Sequence, residues 1–375
     1  MSDIDLSQND NFHDVLVVGG GQAGLSIAWN LAQHDLRFVV LDAAPEVGHV
    51  WRTRWDSLQL FTPAEYDGLP GVPFPAARGT YPGKEDVADY LQDYVEAQRL
   101  PVHTGCKVSA LSRRDGVFEA HAGGAVYRAR QVIVATGPFQ EPRIPEFSKG
   151  LADEVTQLHS SQYRNPEELP PGPVLVVGGG NSGVQIAQEL AATHAVTLAI
   201  GSRPKMLPQR LLGRDLFWWL MRLGLLRRPA NSRIARRIRA KGELVIGANW
   251  KQLGRAGIEI QSRAVDATGT SVHFDDGGTR DFDTVIWATG YRSDFAWIDI
   301  PGLVVDGEPA HRRGVTDVDG LYFIGLSWQY TRGSALLGFV GEDARWLVDR
   351  VSAEATNVSI AVPRPSAQTQ PTVIS

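Results

Sequence analysis

Cysteine is almost missing from this 375-residue chain, and its single copy, Cys106, excludes an internal disulfide, a redox-active cysteine pair and a thiolate metal cluster. Cys106 itself reads as a small buried hydrophobe. No apolar run approaches the roughly 18 residues of a membrane span, and the nearest, Leu216 to Leu226, is interrupted by Arg222 and Gly224. The opening segment, Met1 to Asp14, lacks the basic start and the apolar stretch of about 7 to 15 residues of a signal peptide, so a cytoplasmic location is expected. Charge of one sign is also lacking: 37 basic and 42 acidic residues leave −5, so no global field recruits nucleic acid or an anionic surface. The nine histidines, among them His13, His34, His49 and His121, show no paired metal spacing, and no metal is expected.

Glycine, by contrast, is abundant. The 39 glycines make up about 10% of the chain, above the usual 7% or so, and they are bunched. An apolar strand, Asp14 to Val18, runs straight into Gly19-Gly-Gly-Gln-Ala-Gly24 and then a helical pattern, Leu25 to Leu31. The order repeats 159 residues later: Pro173 to Val177, Gly178-Gly-Gly-Asn-Ser-Gly183, Val184 to Leu190. Each copy closes on a strand entering Ala-Thr-Gly, at Ala135–Gly137 and Ala288–Gly290. An α/β chain with two Rossmann-like dinucleotide-binding domains is therefore expected, the second inserted into the first. The divisions fall at 1–144 and 284–362 for the first domain and 145–283 for the second, with a helical basic insert at 208–250 and a loose tail at 363–375.

The physical reason for each turn is the same. The first glycine permits the turn, the second admits a diphosphate to backbone N–H groups, and the third lets helix and strand pack closely at the positive end of the helix dipole. In the first copy the strand Phe38 to Leu41 ends in Asp42, placed to accept from a ribose 2′-hydroxyl and to repel a 2′-phosphate, which suits FAD or NAD. In the second, Val196 to Ile200 ends in Gly201-Ser202-Arg203, where a hydroxyl and a guanidinium suit a 2′-phosphate. Two nucleotide sites of unlike preference imply electrons passing from a nicotinamide to a flavin.

These residues resemble the flavin-containing monooxygenase family, especially its short bacterial members associated with cation transport. The likeness includes Val47-Gly48-His49-Val50-Trp51-Arg52, similar to a segment that packs along the flavin, and Leu158-His159-Ser160-Ser161-Gln162-Tyr163-Arg164, similar to the end of the family fingerprint. It also includes Ala288-Thr289-Gly290-Tyr291 and the stretch Gly320 to Trp328. With the glycine turns, the resemblance implies FAD held by Gly19, Gly21, Gln22, Ala23, Gly24, Asp42, Val50, Trp51, Val108, Gly137 and Gly325. It implies NADPH, with NADH also possible, held by Gly178, Gly180, Asn181, Ser182, Gly183, Ser202, Arg203, Ala288, Thr289 and Gly290. The sequence departs from the family where Asp153 and Val155 replace a Phe and a Gly of the fingerprint. It departs again where Phe61 stands in place of an asparagine near the flavin, and where Gly201 holds the usual position of the phosphate-reading arginine.

The resemblance also implies oxygenation of a small organic substrate, at sulfur, nitrogen or beside a ketone, by dioxygen added at flavin C4a. The flavin would be the reactive centre, with Trp51, Phe61 and Trp328 as candidate pocket walls. An NAD(P)H oxidase or quinone reductase, and a non-catalytic redox-sensing partner of a transporter, stay open. A dithiol reductase does not, because it needs two cysteines. His159 and Tyr163, four residues apart, read either as an acid/base pair or as an anchor for a connector. The stretch Arg210 to Lys241 holds ten basic residues and one acid, Asp215, interleaved with leucines and tryptophans. It reads as an interfacial amphipathic helix, a phosphate-facing lid, or a helical pair packed on its own domain with a solvated basic face. A homodimer is possible.

Overall fold

A computed structural model describes residues 11–240, 242 and 244–361. The tail expected to be loose, 363–375, lies outside them. Two sheets organise the chain, and both form for one reason: short β-branched runs that are apolar on both faces are stable only when helices or further strands cover both sides. The first sheet takes the order Val102–His103, Phe38–Leu41, Phe12–Val18, Ala125–Val134, Val117–Ala122, Val108–Arg114, with Leu321–Phe323 also paired to Ala125–Val134. Its central pairs are parallel, and the hairpins between 108 and 134 are antiparallel. The second is wholly parallel: Glu259–Gln261, Val196–Ala199, Val174–Val177, Thr284–Trp287, Thr156–His159.

Side-chain alternation sends Val15 and Val17 into one core and Leu16 and Val18 into another, across the first sheet. The second sheet repeats this, with Val174 and Val176 on one side and Leu175 and Val177 on the other. Helices Gln22–Leu31, Lys84–Gln98 and Val340–Ala361 cover one face of the first sheet. Because the first sheet is built from residues on both sides of the second, the fold is α/β with two Rossmann-like units, one inserted in the other. Thr284–Trp287 pairs within the second sheet, four residues beyond the division drawn at 283. Two short strands, Glu141–Pro142 and Tyr291–Arg292, run antiparallel where the chain crosses between the units.

The basic insert holds two helices and packs on both units, not on its own alone. It opens with a hairpin, Arg210–Leu211 against Arg214–Asp215, continues through helices Leu216–Arg222 and Arg233–Ala240, and returns as Leu244–Ile246 beside Lys205–Leu207. Leu216 and Phe217 are buried against Phe61, Tyr66, Leu336 and Phe339, which all belong to the first unit. Burying Phe217 there is worth roughly 2–3 kcal/mol, enough to dock the insert across the gap between the units.

Candidate functional site

The two glycine turns have the same construction. Gly19 has φ 110° and Gly178 φ 123°, a region open to glycine alone at low cost. A Cβ on Gly19 would meet Ala135 O at 2.6 Å, and on Gly178 would meet Ala288 O at 2.2 Å. On Gly24 and Gly183 it would sit 1.9 Å from the carbonyl oxygens of Gly19 and Gly178. At Gly21 and Gly180, the helix N-caps, nothing lies within 4 Å, and neither helix has a side-chain cap. Uncapped N–H groups over an open glycine form a cradle that fits a diphosphate.

The surroundings of the first turn come from its own sheet. Ala135 N–H donates to Val18 O at 2.7 Å, Ile324 N–H to Val134 O at 2.9 Å, and Gly325, at φ 80°, lies against Ala23. Gly137 is open, with φ 70°. Gln22 reaches Ala335 O at 3.5 Å, tying the turn to the segment before the last helix. Asp42 accepts from Gly20 N–H through Oδ2 and from Ala44 N–H, at 2.7 Å, through Oδ1. Two acceptor positions remain on that carboxylate for a ribose hydroxyl. Val108 is buried in the sheet core, two residues after Cys106, whose N–H donates to Asp42 O. Val50 is exposed, whereas Trp51 touches a core of each unit.

Beside the second turn two side chains are engaged elsewhere. The Asn181 side chain is committed to the insert's returning strand, donating to Leu244 O at 3.0 Å and accepting from Ile246 N–H at 3.1 Å. The Arg203 guanidinium stacks over Trp250 at 4.6 Å instead of closing on the strand end. Arg263 takes that place: its guanidinium lies 2.8 Å from a Cβ position on Gly201 and donates to Gly201 O at 3.4 Å. Ser202 is exposed. A cleft of ≈450 Å3 runs past Gly178, Gly201, Arg263, Thr289, Phe147 and Arg143. Neither Arg263 nor Arg143 carries a sequence signal; both lie outside the glycine turn and its following strand.

The crossing between the units is pinned by side chains. His159 is fully buried, and since Gly290 O can only accept, the ring's Nε2 donates to it at 3.0 Å, leaving Nδ1 to accept from Ser161. Burial lowers the His159 pKa and keeps the ring neutral. Tyr163 donates instead to Glu189 at 2.9 Å, so the two residues form no acid/base pair, and His159 serves as an anchor. Arg54 bonds the Tyr291 hydroxyl, and Thr289 bonds Arg143 O. Among the candidate pocket walls, Phe61 stacks on Phe217 at 5.9 Å, and Trp328 follows the last strand at φ 59°. Trp51, Phe61 and Trp328 form no ring pair with one another among the described residues. A second cavity, of ≈390 Å3, lies between the 64–74 loop, Met221 and Arg227 of the insert, and Gly338 to Glu342.

Asp67 is fully buried; Thr62 donates to its Oδ1 at 2.5 Å and its Oδ2 has no partner. Burial pushes its pKa up to about 7, against the opposing pull of the Thr62 hydroxyl. No group of His, Cys, Asp and Glu that could hold a metal occurs among the described residues, and no helix there is long and apolar enough to cross a membrane.

A model of the Pyridine nucleotide-disulphide oxidoreductase family matches residues 16–208. A CzcO-like oxidoreductase of Geobacillus kaustophilus (strain HTA426) is 44% identical over 340 residues, 90% of this chain and 98% of that protein. The indole-3-pyruvate monooxygenase YUCCA1 of Oryza sativa subsp. japonica is 28% identical, over 85% of this chain and 88% of that protein. Among solved structures, the flavin-containing monooxygenase from Stenotrophomonas maltophilia superposes with a TM-score of 0.77 at 30% identity, covering 92% of this chain and 99% of that one.

Proposed function

The chain belongs to the Pyridine nucleotide-disulphide oxidoreductase family and is a flavoprotein oxidoreductase, and from that premise we propose that it is an NAD(P)H-dependent FAD monooxygenase of small organic substrates. One observation carries the reading: a single chain presents two matching glycine cradles, one beside a carboxylate and the other beside a guanidinium, and has no second cysteine for a dithiol relay.

FAD would lie on Gly19 to Gly24 with Asp42 at its ribose, where Gly137 leaves room for it and Gly325 closes against Ala23. NADPH would lie on Gly178 to Gly183, with Arg263 in place of Arg203 as partner of the 2′-phosphate and Ser202 and Thr289 at the rim. Among the described residues the first unit is then 11–144 together with 288–361, and the second is 145–287. The bound flavin supplies a two-electron acceptor for hydride and a centre that activates dioxygen. One oxygen atom goes to the substrate and the other leaves as water.

The chain's own residues position and exclude. His159 and Arg54 hold Gly290 and Tyr291 at the crossing, fixing how the nicotinamide unit meets the flavin unit. Phe61, Phe217 and Phe339 form an aromatic cluster, which would keep water from the reacting centre if the flavin ring lies beside Phe61. An NAD(P)H oxidase is the second reading, favoured by Phe61, which offers no amide hydrogen bond where the family commonly has one. With FAD-loaded protein in air, NADPH and a simple thioether or ketone, the proposal requires oxygenated product close to equimolar with NADPH consumed. Hydrogen peroxide in that ratio, with every substrate tried, establishes the oxidase instead.

A further inference from the structure

Neither nucleotide site uses the exposed side chains of residues 210–240. Residues 210–241 carry ten basic side chains and one acid, a charge of +9 in a chain whose total is −5, which leaves −14 on all other residues. Nine of the ten are arginines on the exposed surface. Arg227 pairs with Glu342 at 2.8 Å; the other eight have no carboxylate partner among the described residues. The same segment exposes Leu211, Leu212, Leu223 and Ile234.

Leu212 is the most exposed large apolar side chain described, at 83%. It occupies the tip of the hairpin with Gly213, at φ 51° and 74°. Such two-residue turns favour Asn-Gly, and a leucine held at positive φ is strained while burying nothing in its own fold. The hairpin beneath it is firmly held. Tyr81 donates to Asp215 at 2.7 Å, Gln209 to the same carboxylate at 3.0 Å, Trp219 to Leu211 O at 2.9 Å, and Arg214 lies over the Trp218 ring. A rigid, strained apolar tip between two exposed arginines, Arg210 and Arg214, has a form that suits an interface of apolar depth and anionic surface.

We propose that this face docks on an anionic lipid bilayer, with Leu211 and Leu212 entering the acyl boundary and the arginines lying on headgroup phosphates. A bilayer needs no preformed pocket for the leucines, whereas a second copy would have to supply one. Nucleic acid would satisfy the arginines and leave an aliphatic tip that cannot stack on bases. This docking is independent of the oxygenation chemistry.

The test is co-sedimentation of the full-length, FAD-loaded protein with phosphatidylcholine vesicles, with and without phosphatidylglycerol. The protein sediments only with the anionic vesicles, and less as salt rises. Leu212→Asn, which relaxes the turn and so folds at least as well, lowers the partition coefficient about tenfold. Arg210→Gln combined with Arg214→Gln lowers it about thirtyfold, from ~1 kcal/mol for each arginine at an anionic surface. The proposal is overturned by no binding to anionic vesicles, by binding that Leu212→Asn leaves unchanged, or by a concentration-dependent dimer that Leu212→Asn dissolves. Binding to an oligonucleotide in place of vesicles overturns it as well.

Discussion

The turns at Gly19–Gly24 and Gly178–Gly183 are alike in their glycines and unlike in their neighbours. In both, the third glycine would place a Cβ 1.9 Å from the carbonyl of the first, and the helix N-cap has φ −75°. Beside the middle glycine, however, Gly20 faces the Asp42 carboxylate and Gly179 faces Ile200 and Pro204. The glycines therefore set the geometry of a diphosphate cradle, and on the proposed reading the side chains next to it would decide which nucleotide enters. In the first unit that decision is local, made at the end of the adjacent strand. In the second it would be made by Arg263, 62 residues beyond Gly201.

The sharpest way to break the likeness is to fill one cradle at a time. Gly24→Ala drives a Cβ into the Gly19 carbonyl, costs ~3 kcal/mol or more, and yields protein without FAD, read from its visible absorbance after purification. Gly183→Ala, with the same clash, leaves the protein yellow and abolishes its reduction by NADPH in anaerobic mixing. If Gly183→Ala also loses FAD, the two units are not separately loaded.

Asp42→Ala comes next. It strips Gly20 and Ala44 of their acceptor, and hydrogen bonds to a charged group are worth about 1.5–3 kcal/mol each, so FAD affinity falls roughly a hundredfold, measured by fluorescence titration of the apoprotein.

The units also differ in their buried acids: Asp67 and Asp343 lie in the first, and no buried Asp or Glu occurs among the described residues of the second. The folded-state pKa of Asp67 is about 7, against 3.8 for the free side chain, so it stabilises the fold as the neutral acid. That contribution is fully present below pH 3.8 and is lost as pH rises through about 7. Asp67→Asn keeps an acceptor for Thr62 and cannot ionise. It should gain about 2 kcal/mol over the parent at pH 8 and flatten the slope between those values in thermal melts. A parent melting curve flat over that range would show that Asp67 is not neutral in the folded protein.

The smallest effect concerns the choice of nicotinamide. Arg263→Ala raises KM for NADPH about tenfold, the loss of one charge-assisted contact, with little change for NADH, whereas Arg203→Ala changes either by much less. The reverse ranking would return the 2′-phosphate to Arg203.

Much of this was legible from residue order alone. Both glycine turns, Asp42, the two Ala-Thr-Gly closures and the insertion of one unit in the other follow from short-range spacing, because a strand, a tight turn and a helix are set by neighbours in the chain. The same logic failed where a side chain serves a distant segment. Asn181 has the right place in its turn yet spends its amide on Leu244 and Ile246. Arg203 has the right charge yet finds Trp250. The insert's residue order leaves open an interfacial helix, a lid or a helical pair on its own unit, and it is Phe217, packed on Phe61 and Phe339, that ties it to the first unit.

What the sequence determined unaided is therefore the cradles: glycines where no Cβ fits, apolar β-branched runs leading into them, and an acid at the end of one neighbouring strand. Only the tertiary structure decided which arginine faces the second cradle, that His159 is a neutral anchor, and that the insert bridges both units while presenting Leu212 to solvent. Those outcomes depend on burial and on competition among contacts far apart in the chain, and such competition is resolved by packing in space, on which local spacing has no hold.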